Sequence, residues 1–430
     1  MEKLTEIILH TLKEKKPTGV IEITYDDVLK KMALLNSIVF EVTEVCNLDC
    51  YYCTYGNLYK VRGKKEKRIK KMSSKTMKNA FNFFLQQWNQ EPYGNTLNIG
   101  FYGGEPLINM DLIKKTVEHT RILFPNSKLN FRLTTNGLLL DKHLEFFVEN
   151  DFKIMVSLDG NKNHNSYRIT REGKNPFENI IKNLDLIYLK YSDYFKNNIA
   201  INSVLHNKNE PNAVIDFFLT KYDKAPFLSK LADTDINEDE RMKFNELNIF
   251  REYVESNENL DFNEEFIQSK WGRTILFFLK IIEMRYHNLS ELVYQNSSGK
   301  LMTGSCLPFE RVFILTDGTI LPCERSNHNN RLGNVNHMAS IDIKSIVKKY
   351  NSFLKTLEIS NCNSCADRNS CQACIFQIGK INLKEPVKCS KNMTQSQFVA
   401  TIDQICAFIT ANPNVINSVR NILTNGENEE

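Results

Sequence analysis

Between Ser37 and Leu231, short apolar and β-branched runs alternate with amphipathic stretches of roughly 10–20 residues. The runs are Ser37–Val42, Thr96–Phe101, Leu129–Leu133, Phe152–Val156, Ile199–Leu205 and Ala225–Leu231. Each is short enough to be a strand and rich in residues that suit a pleated, buried surface. Between the first two, Ser73-Ser74 caps a helix whose Met77, Phe81, Phe84, Leu85 and Trp88 share one side. Regular strand–helix alternation predicts an α/β fold with a parallel sheet, open or curled into a barrel. In either form the polar groups that follow each strand gather at one end of the sheet. Those groups are distinctive: Cys46, Cys50 and Cys53 after the first run, Gly103-Gly104-Glu105-Pro106 after the second and Thr134-Thr135-Asn136-Gly137 after the third. Ser157-Leu158-Asp159-Gly160 follows the fourth.

Outside this region the pattern changes. Residues 1–36 read as an extension: a helix over Leu4–Leu12, a break at Pro17-Thr18-Gly19, a short strand and a helical turn. Residues 37–235 form the core. Residues 236–300 form a helical bridge, whose many aromatics (Phe244, Phe250, Trp271 among them) argue against an unfolded linker. Residues 301–394 are loop-rich and cysteine-rich, and 395–430 close the chain with a helix (Gln395–Leu423) and an acidic tail. Near the start of the cysteine-rich part, Asp317-Gly318 reads as the turn of a hairpin pairing Val312–Leu315 with Thr319–Leu321.

Composition narrows the class. With 42% hydrophobic and 25% charged residues the chain is ordinary for a globular protein. A net charge of +4 is small for this length and does not argue for nucleic acid, which would call for a concentrated basic face. The basic run Lys60–Lys71 reads as a solvated loop or a patch for an acidic peptide. No run of about 18 apolar residues predicts a membrane span. The N-terminus interrupts its apolar stretch with charges and has no small-residue cleavage site, so a cytoplasmic location is expected. Eleven cysteines in a reducing compartment point to metal or catalysis rather than disulfides. Three lie in the Cys46–Cys53 loop and seven between Cys306 and Cys389, while Cys406 stands apart in an apolar helical pattern as a buried thiol.

Three thiolates on the eight-residue loop Cys46–Cys53 can hold three corners of an iron–sulfur cube, leaving one iron open to chemistry. The competing reading is a zinc knuckle short of its fourth ligand. Cys46-x3-Cys50-x-Tyr52-Cys53 resembles the cluster loop of radical S-adenosylmethionine (SAM) enzymes, and Gly103-Gly104-Glu105-Pro106 resembles that family's second motif. The resemblance runs from about residue 36 to 235 and implies a partial (β/α)6 TIM-like barrel. It implies that the open iron chelates SAM and that Tyr52 flanks the adenine. Gly103, Gly104, Glu105 and Pro106 would meet the SAM ammonium, the glycines by admitting backbone carbonyls and the carboxylate by complementing its charge. Thr134, Thr135, Asn136, Ser157 and Asp159 would meet its ribose and methionine parts, and Arg168 its carboxylate, with Asn202 a further contact. The competing readings are an ordinary turn for Gly-Gly-Glu-Pro and a surface arginine for Arg168.

The second group, Cys306, Cys323, Cys362, Cys365, Cys371, Cys374 and Cys389, resembles the SPASM extension, which carries two auxiliary [4Fe–4S] clusters. A departure is the two-residue spacer between Cys371 and Cys374, where three is usual. A zinc ribbon is the alternative. The resemblance assigns Cys306, Cys323 and Cys374 to an inner cluster, which leaves that cluster one ligand short. It assigns Cys362, Cys365, Cys371 and Cys389 to an outer one. Glu324 stands where sulfatase-maturing relatives carry a proposed base; a plain surface carboxylate is the other reading. Three [4Fe–4S] clusters and SAM are thus the implied cofactors, with a peptide or protein substrate and an external one-electron reductant such as flavodoxin or ferredoxin as partners. The implied activity is maturation of a ribosomally made peptide by a thioether or carbon–carbon crosslink. The alternatives are a sulfatase maturase making formylglycine from Cys or Ser, and a non-catalytic iron–sulfur or zinc protein for electron transfer or binding.

Overall fold

The computed structural model describes residues 22–60, 71–88, 92–232, 235–248, 307–326, 328–337 and 341–359, with scattered positions beyond. The Leu4–Leu12 helix, most of the basic loop, the bridge past residue 248 and nearly all of the closing helix lie outside the described residues.

Thr24 caps the first described helix, α1 (Tyr25–Ala33), through a reciprocal pair with Asp27. It is longer than the single turn expected, and the described residues just before it (22–24) are not a strand. Strand β1 (Ser37–Thr43) follows, then α2 (Ser74–Gln87) with Ser73 as its N-cap. The alternation continues through β2 (Thr96–Gly103), α3 (Met110–Leu123), β3 (Lys128–Thr135), α4 (Leu144–Glu149) and β4 (Lys153–Ser157). After it come α5 (Phe177–Lys190), α6 (Ser192–Asn198), β5 (Ile199–Val204), α7 (Pro211–Tyr222), β6 (Phe227–Ser229) and α8 (Arg241–Leu247). The anticipated hairpin forms as β7 (Val312–Ile314) and β8 (Thr319–Leu321), with a short β9 (Gly333–Asn334) and a helix α9 (Ile343–Ile359) after it. All six strands expected in the core are present, with ends shifted by one or two residues.

Among the described residues these strands form one sheet in the order β6-β5-β4-β3-β2-β1-β7-β8-β9. Strands β1 to β6 run parallel, as the radical SAM-type partial barrel requires, and β7 joins the free edge of β1 in parallel. The cysteine-rich part therefore begins as an extension of the core sheet, which its sequence does not disclose. Strand β8 turns back antiparallel to β7.

The two faces of the sheet differ. Ile38, Phe40, Leu97, Ile99, Phe101, Phe131 and Leu133 are buried on the face that meets the helices. Phe40 meets Phe81 of α2, and Phe152 stacks against Phe101 and Phe131. The alternating residues form the inner face. Its β1–β2–β7–β8 portion is apolar, with Phe313, Leu315 and Leu321 against Val39 and Tyr102. Its β2–β5 portion is polar and at least partly exposed: Asn98, Asn130, Arg132, Thr134, Ser157 and Asn202. A closed eight-stranded barrel would fill that space with branched apolar layers.

Contact clustering gives two compact units, one of residues 24–251 and 306–347, the other of 1–23, 252–305 and 348–430. Within the second, Asn351 exchanges two 2.9 Å hydrogen bonds with the backbone of Ile23, and Lys355 pairs with Glu22.

Phe152 is fully buried among Phe101, Phe131, Phe146 and Phe147. Phe152→Ala is expected to cost about 3–5 kcal/mol, read from the urea midpoint of unfolding; a loss below about 1 kcal/mol would contradict this account of the core.

Candidate active site

Strand β1 ends at Thr43, three residues before the first cysteine, and the end of β2 is pressed against that backbone. Gly104 N–H donates to Thr43 O and Glu105 N–H to Val45 O, both at 2.8 Å. Gly103 has φ +140, and a Cβ there would lie 2.1 Å from Thr43 O; at Gly104 it would lie 2.5 Å from Val45 O. These glycines are required by the close approach of two strand ends, not only by a ligand. Glu105 likewise differs from expectation. Its carboxylate is fully buried and accepts from Leu107 N (3.1 Å), Thr135 Oγ1 (2.7 Å) and Asn136 N (2.8 Å). It ties the end of β2 to the end of β3 and presents no exposed charge. Pro106 is buried beside it at the start of a short 3-10 turn.

The cysteine loop is held from a second side. Asp49 N–H donates to Ile169 O (2.8 Å) and Tyr51 N–H to Tyr167 O (2.9 Å), and Leu48 bridges Thr170. The Tyr51 and Tyr167 rings stack at 5.2 Å. Backbone N–H groups point at two sulfurs: Leu48 N to Cys46 Sγ and Tyr55 N to Cys53 Sγ, each at 3.4 Å. Burial pushes the Cys46 thiol up to about 12 and raises Cys50 further. Burial thus disfavours free thiolates at Cys46 and Cys50, and a bound cation would favour them. Three cysteines on one eight-residue loop, with N–H groups directed at the sulfurs of Cys46 and Cys53, are a donor set that suits an iron–sulfur cluster.

Beneath the loop sits a buried polar knot. Asp159, just past β4, is fully enclosed. It accepts from Arg168 (3.0 Å), from Val204 N (3.0 Å) and from the Tyr52 hydroxyl, and His206 Nε2 lies 3.5 Å away. Burial alone would raise the Asp159 carboxyl, but the Arg168 charge and His206 outweigh it and hold it below its ordinary value. The Arg168 guanidinium also lies over the Tyr52 ring, 5.5 Å from its centroid. Arg168 is therefore not a surface arginine; it is committed to Asp159, with Nε buried and unpartnered. Tyr52 points its hydroxyl into the same knot, within a cluster that includes Leu58, Tyr59, Leu231, Ile236, Phe244 and Leu247. His206 was not singled out from the sequence, although its place directly after β5 marks it.

Asn136 is nearly buried, and its amide reaches Asn47 Oδ1 (2.7 Å) and Cys46 Sγ (3.8 Å). Thr134 and Ser157 lie half-buried at the ends of β3 and β4, and Asn202 accepts from Ser229 Oγ. Cys323 is buried and Glu324 half-buried after β8. Because β8 runs opposite to β1, this pair leaves the sheet at the level where β1 begins, whereas Cys46 follows its other end. Seven residues of strand separate those levels by about 20 Å. Cys306, Cys362, Cys371, Cys374 and Cys389 lie outside the described residues, as does Cys406, and Cys365 is half-buried.

Residues 40–201 match the Radical SAM superfamily model, and residues 306–374 match the SPASM iron–sulfur cluster-binding domain. A cysteine-type anaerobic sulfatase-maturating enzyme of Clostridium perfringens is 26% identical over 344 residues, 78% of this chain and 86% of that protein. The radical SAM cyclopropyl synthase TigE of Paramaledivibacter caminithermalis is 25% identical over 224 residues, 46% of each chain. The chain spans about half the length of that synthase and of a further curated relative, 46% and 55%. Among solved structures, "Native anSMEcpe with bound AdoMet and Cp18Cys peptide" shares the fold at TM-score 0.55 and 20% identity, over 90% of this chain and 99% of that one.

Two outcomes follow from the buried charges. Arg168→Ala leaves Asp159 enclosed without its partner and is expected to cost about 3–5 kcal/mol in folding stability. Weaker SAM binding with unchanged stability would show instead that Arg168 serves only the ligand. Burial pushes the Glu105 carboxyl from its ordinary 4.5 up to about 7, against the pull of its three donors. The folded chain then keeps a proton the unfolded chain releases, so stability falls as pH rises across that window, by about 3 kcal/mol. Denaturation of cluster-free protein should show this slope, and Glu105→Gln should flatten it.

Proposed function

The chain joins a radical SAM core to a SPASM domain, and from this we propose that it is a radical SAM/SPASM maturase acting on a peptide or protein. When bound, a cluster on Cys46, Cys50 and Cys53 together with SAM would supply a 5′-deoxyadenosyl radical for hydrogen abstraction. The protein's own part is positioning and dryness. The Thr43–Gly104 contact, the Tyr167–Thr170 strap and the Asp159 knot fix the cysteine loop from three sides.

The observation that supports the reading is that Cys46, Cys50 and Cys53 follow one end of β1 while Cys323 follows β8, which leaves the sheet at the level of the other end, with a polar, partly exposed inner face on β2–β5. A substrate lying along that face has a radical source at one end and an electron acceptor on Cys323 at the other. Glu324 beside that acceptor would take the proton released as a substrate radical is oxidised. Arg132 and, opposite it in register, Lys153 give the face two exposed positive charges, which suit an acidic side chain of a peptide. We assign the product to a thioether or carbon–carbon crosslink in a ribosomally made peptide, with two auxiliary clusters and a flavodoxin or ferredoxin as electron donor. Sulfatase maturation is the second reading, favoured by the span of the clostridial relative.

Anaerobic reconstitution tests the proposal. Roughly twelve irons per chain are expected, with deoxyadenosine released on adding reductant and SAM, and none from Cys50→Ala. Iron without SAM cleavage would leave only the electron-transfer reading. Given that activity, a formylglycine product from a Cys-containing sulfatase peptide decides for the second reading over the first.

A further inference from the structure

The Asn136 amide does something that a ribose contact would not require. Its Oδ1 accepts from Leu138 N (3.1 Å), which fixes which end of the amide is which. Its Nδ2 is thereby turned toward the cysteine loop, where it reaches Asn47 Oδ1 at 2.7 Å and Cys46 Sγ at 3.8 Å. The turn that carries it is clamped residue by residue. Thr135 Oγ1 and Asn136 N both donate to Glu105, Gly137 N donates to Thr135 Oγ1, and Asn183 Nδ2 donates to Gly137 O. With Asn136 itself only 7% exposed, its side chain has no freedom to turn elsewhere. Cys46 Sγ thus receives two N–H groups, from Leu48 and from Asn136.

We propose that Asn136 is a positioning residue that sets the reduction potential of the cluster held by Cys46, and that Glu105 acts through it. The inference rests on the cluster reading above. N–H groups aimed at a cluster sulfur favour the more negative, reduced state and raise its potential. The effect is larger where surrounding water is excluded. The Gly-Gly-Glu-Pro turn then contributes to redox poise without touching the metal: Glu105 holds the Asn136 backbone, and the Asn136 amide holds the sulfur.

The test is a reductive titration of anaerobically reconstituted protein without SAM, followed by the paramagnetic signal of the reduced cluster. Asn136→Ala is expected to make reduction less favourable by about tenfold, which is 59 mV for one electron. Asn136→Asp keeps the acceptor for Leu138 N but puts a charge in place of the donor, and should lower the potential further. Asn47→Ala removes an acceptor of the Asn136 amide and an oxygen near Cys46 Sγ but leaves the Asn136 donor itself, and should shift the potential less than Asn136→Ala does. A parent-like potential in Asn136→Ala, or equal shifts in Asn136→Ala and Asn47→Ala, overturns the assignment. Loss of SAM affinity at an unchanged SAM-free potential overturns it in favour of a ligand contact. If the unsubstituted protein binds no iron, the cluster reading itself fails, and that is seen before any variant is compared.

Discussion

The enclosed Asp159–Arg168 pair is the interaction on which the site depends. A carboxylate at 0% exposure is tolerable only if its charge is met, and four parts of the chain meet it. Arg168 comes from the strap, Tyr52 from the cysteine loop, Val204 N from the end of β5 and His206 from the turn after it. One buried charge therefore fixes the loop, the strap and two strand ends relative to each other. The arrangement spends an ion pair on uniqueness of geometry, which a site for a reactive radical needs.

A second set of contacts makes the sequence motifs interdependent. The glycine pair after β2 is forced by contact with the backbone that leads into Cys46, and Glu105 turns inward to hold the end of β3. From there Asn136 returns to Cys46. Groups that look like separate ligand contacts along the chain form a closed circuit of hydrogen bonds in space.

The β7–β8 hairpin adds the long dimension. By pairing with β1 it makes the cysteine-rich part continuous with the core sheet, and the reversal at Asp317-Gly318 carries Cys323 to the far end. The open inner face lies between, half apolar around Tyr102 and Phe313 and half polar around Asn130 and Arg132.

The sequence by itself determined the elements and the chemistry. Local apolar runs with β-branched residues mark strands, and Ser73 marks a helix start. The spacing of Cys46, Cys50 and Cys53 marks a cluster loop, because these depend on neighbours within a few residues. What the residues at the strand ends do was decided only in three dimensions. Glu105 and Arg168 are charged groups that read as ligand contacts, yet both are buried against partners 9 to 31 residues away. His206 and Asn47 carry no motif at all and matter through whom they meet. The attachment of β7 to β1 joins residues more than 270 positions apart. Side-chain burial, charge pairing and strand order are properties of the folded whole, and no local pattern encodes them.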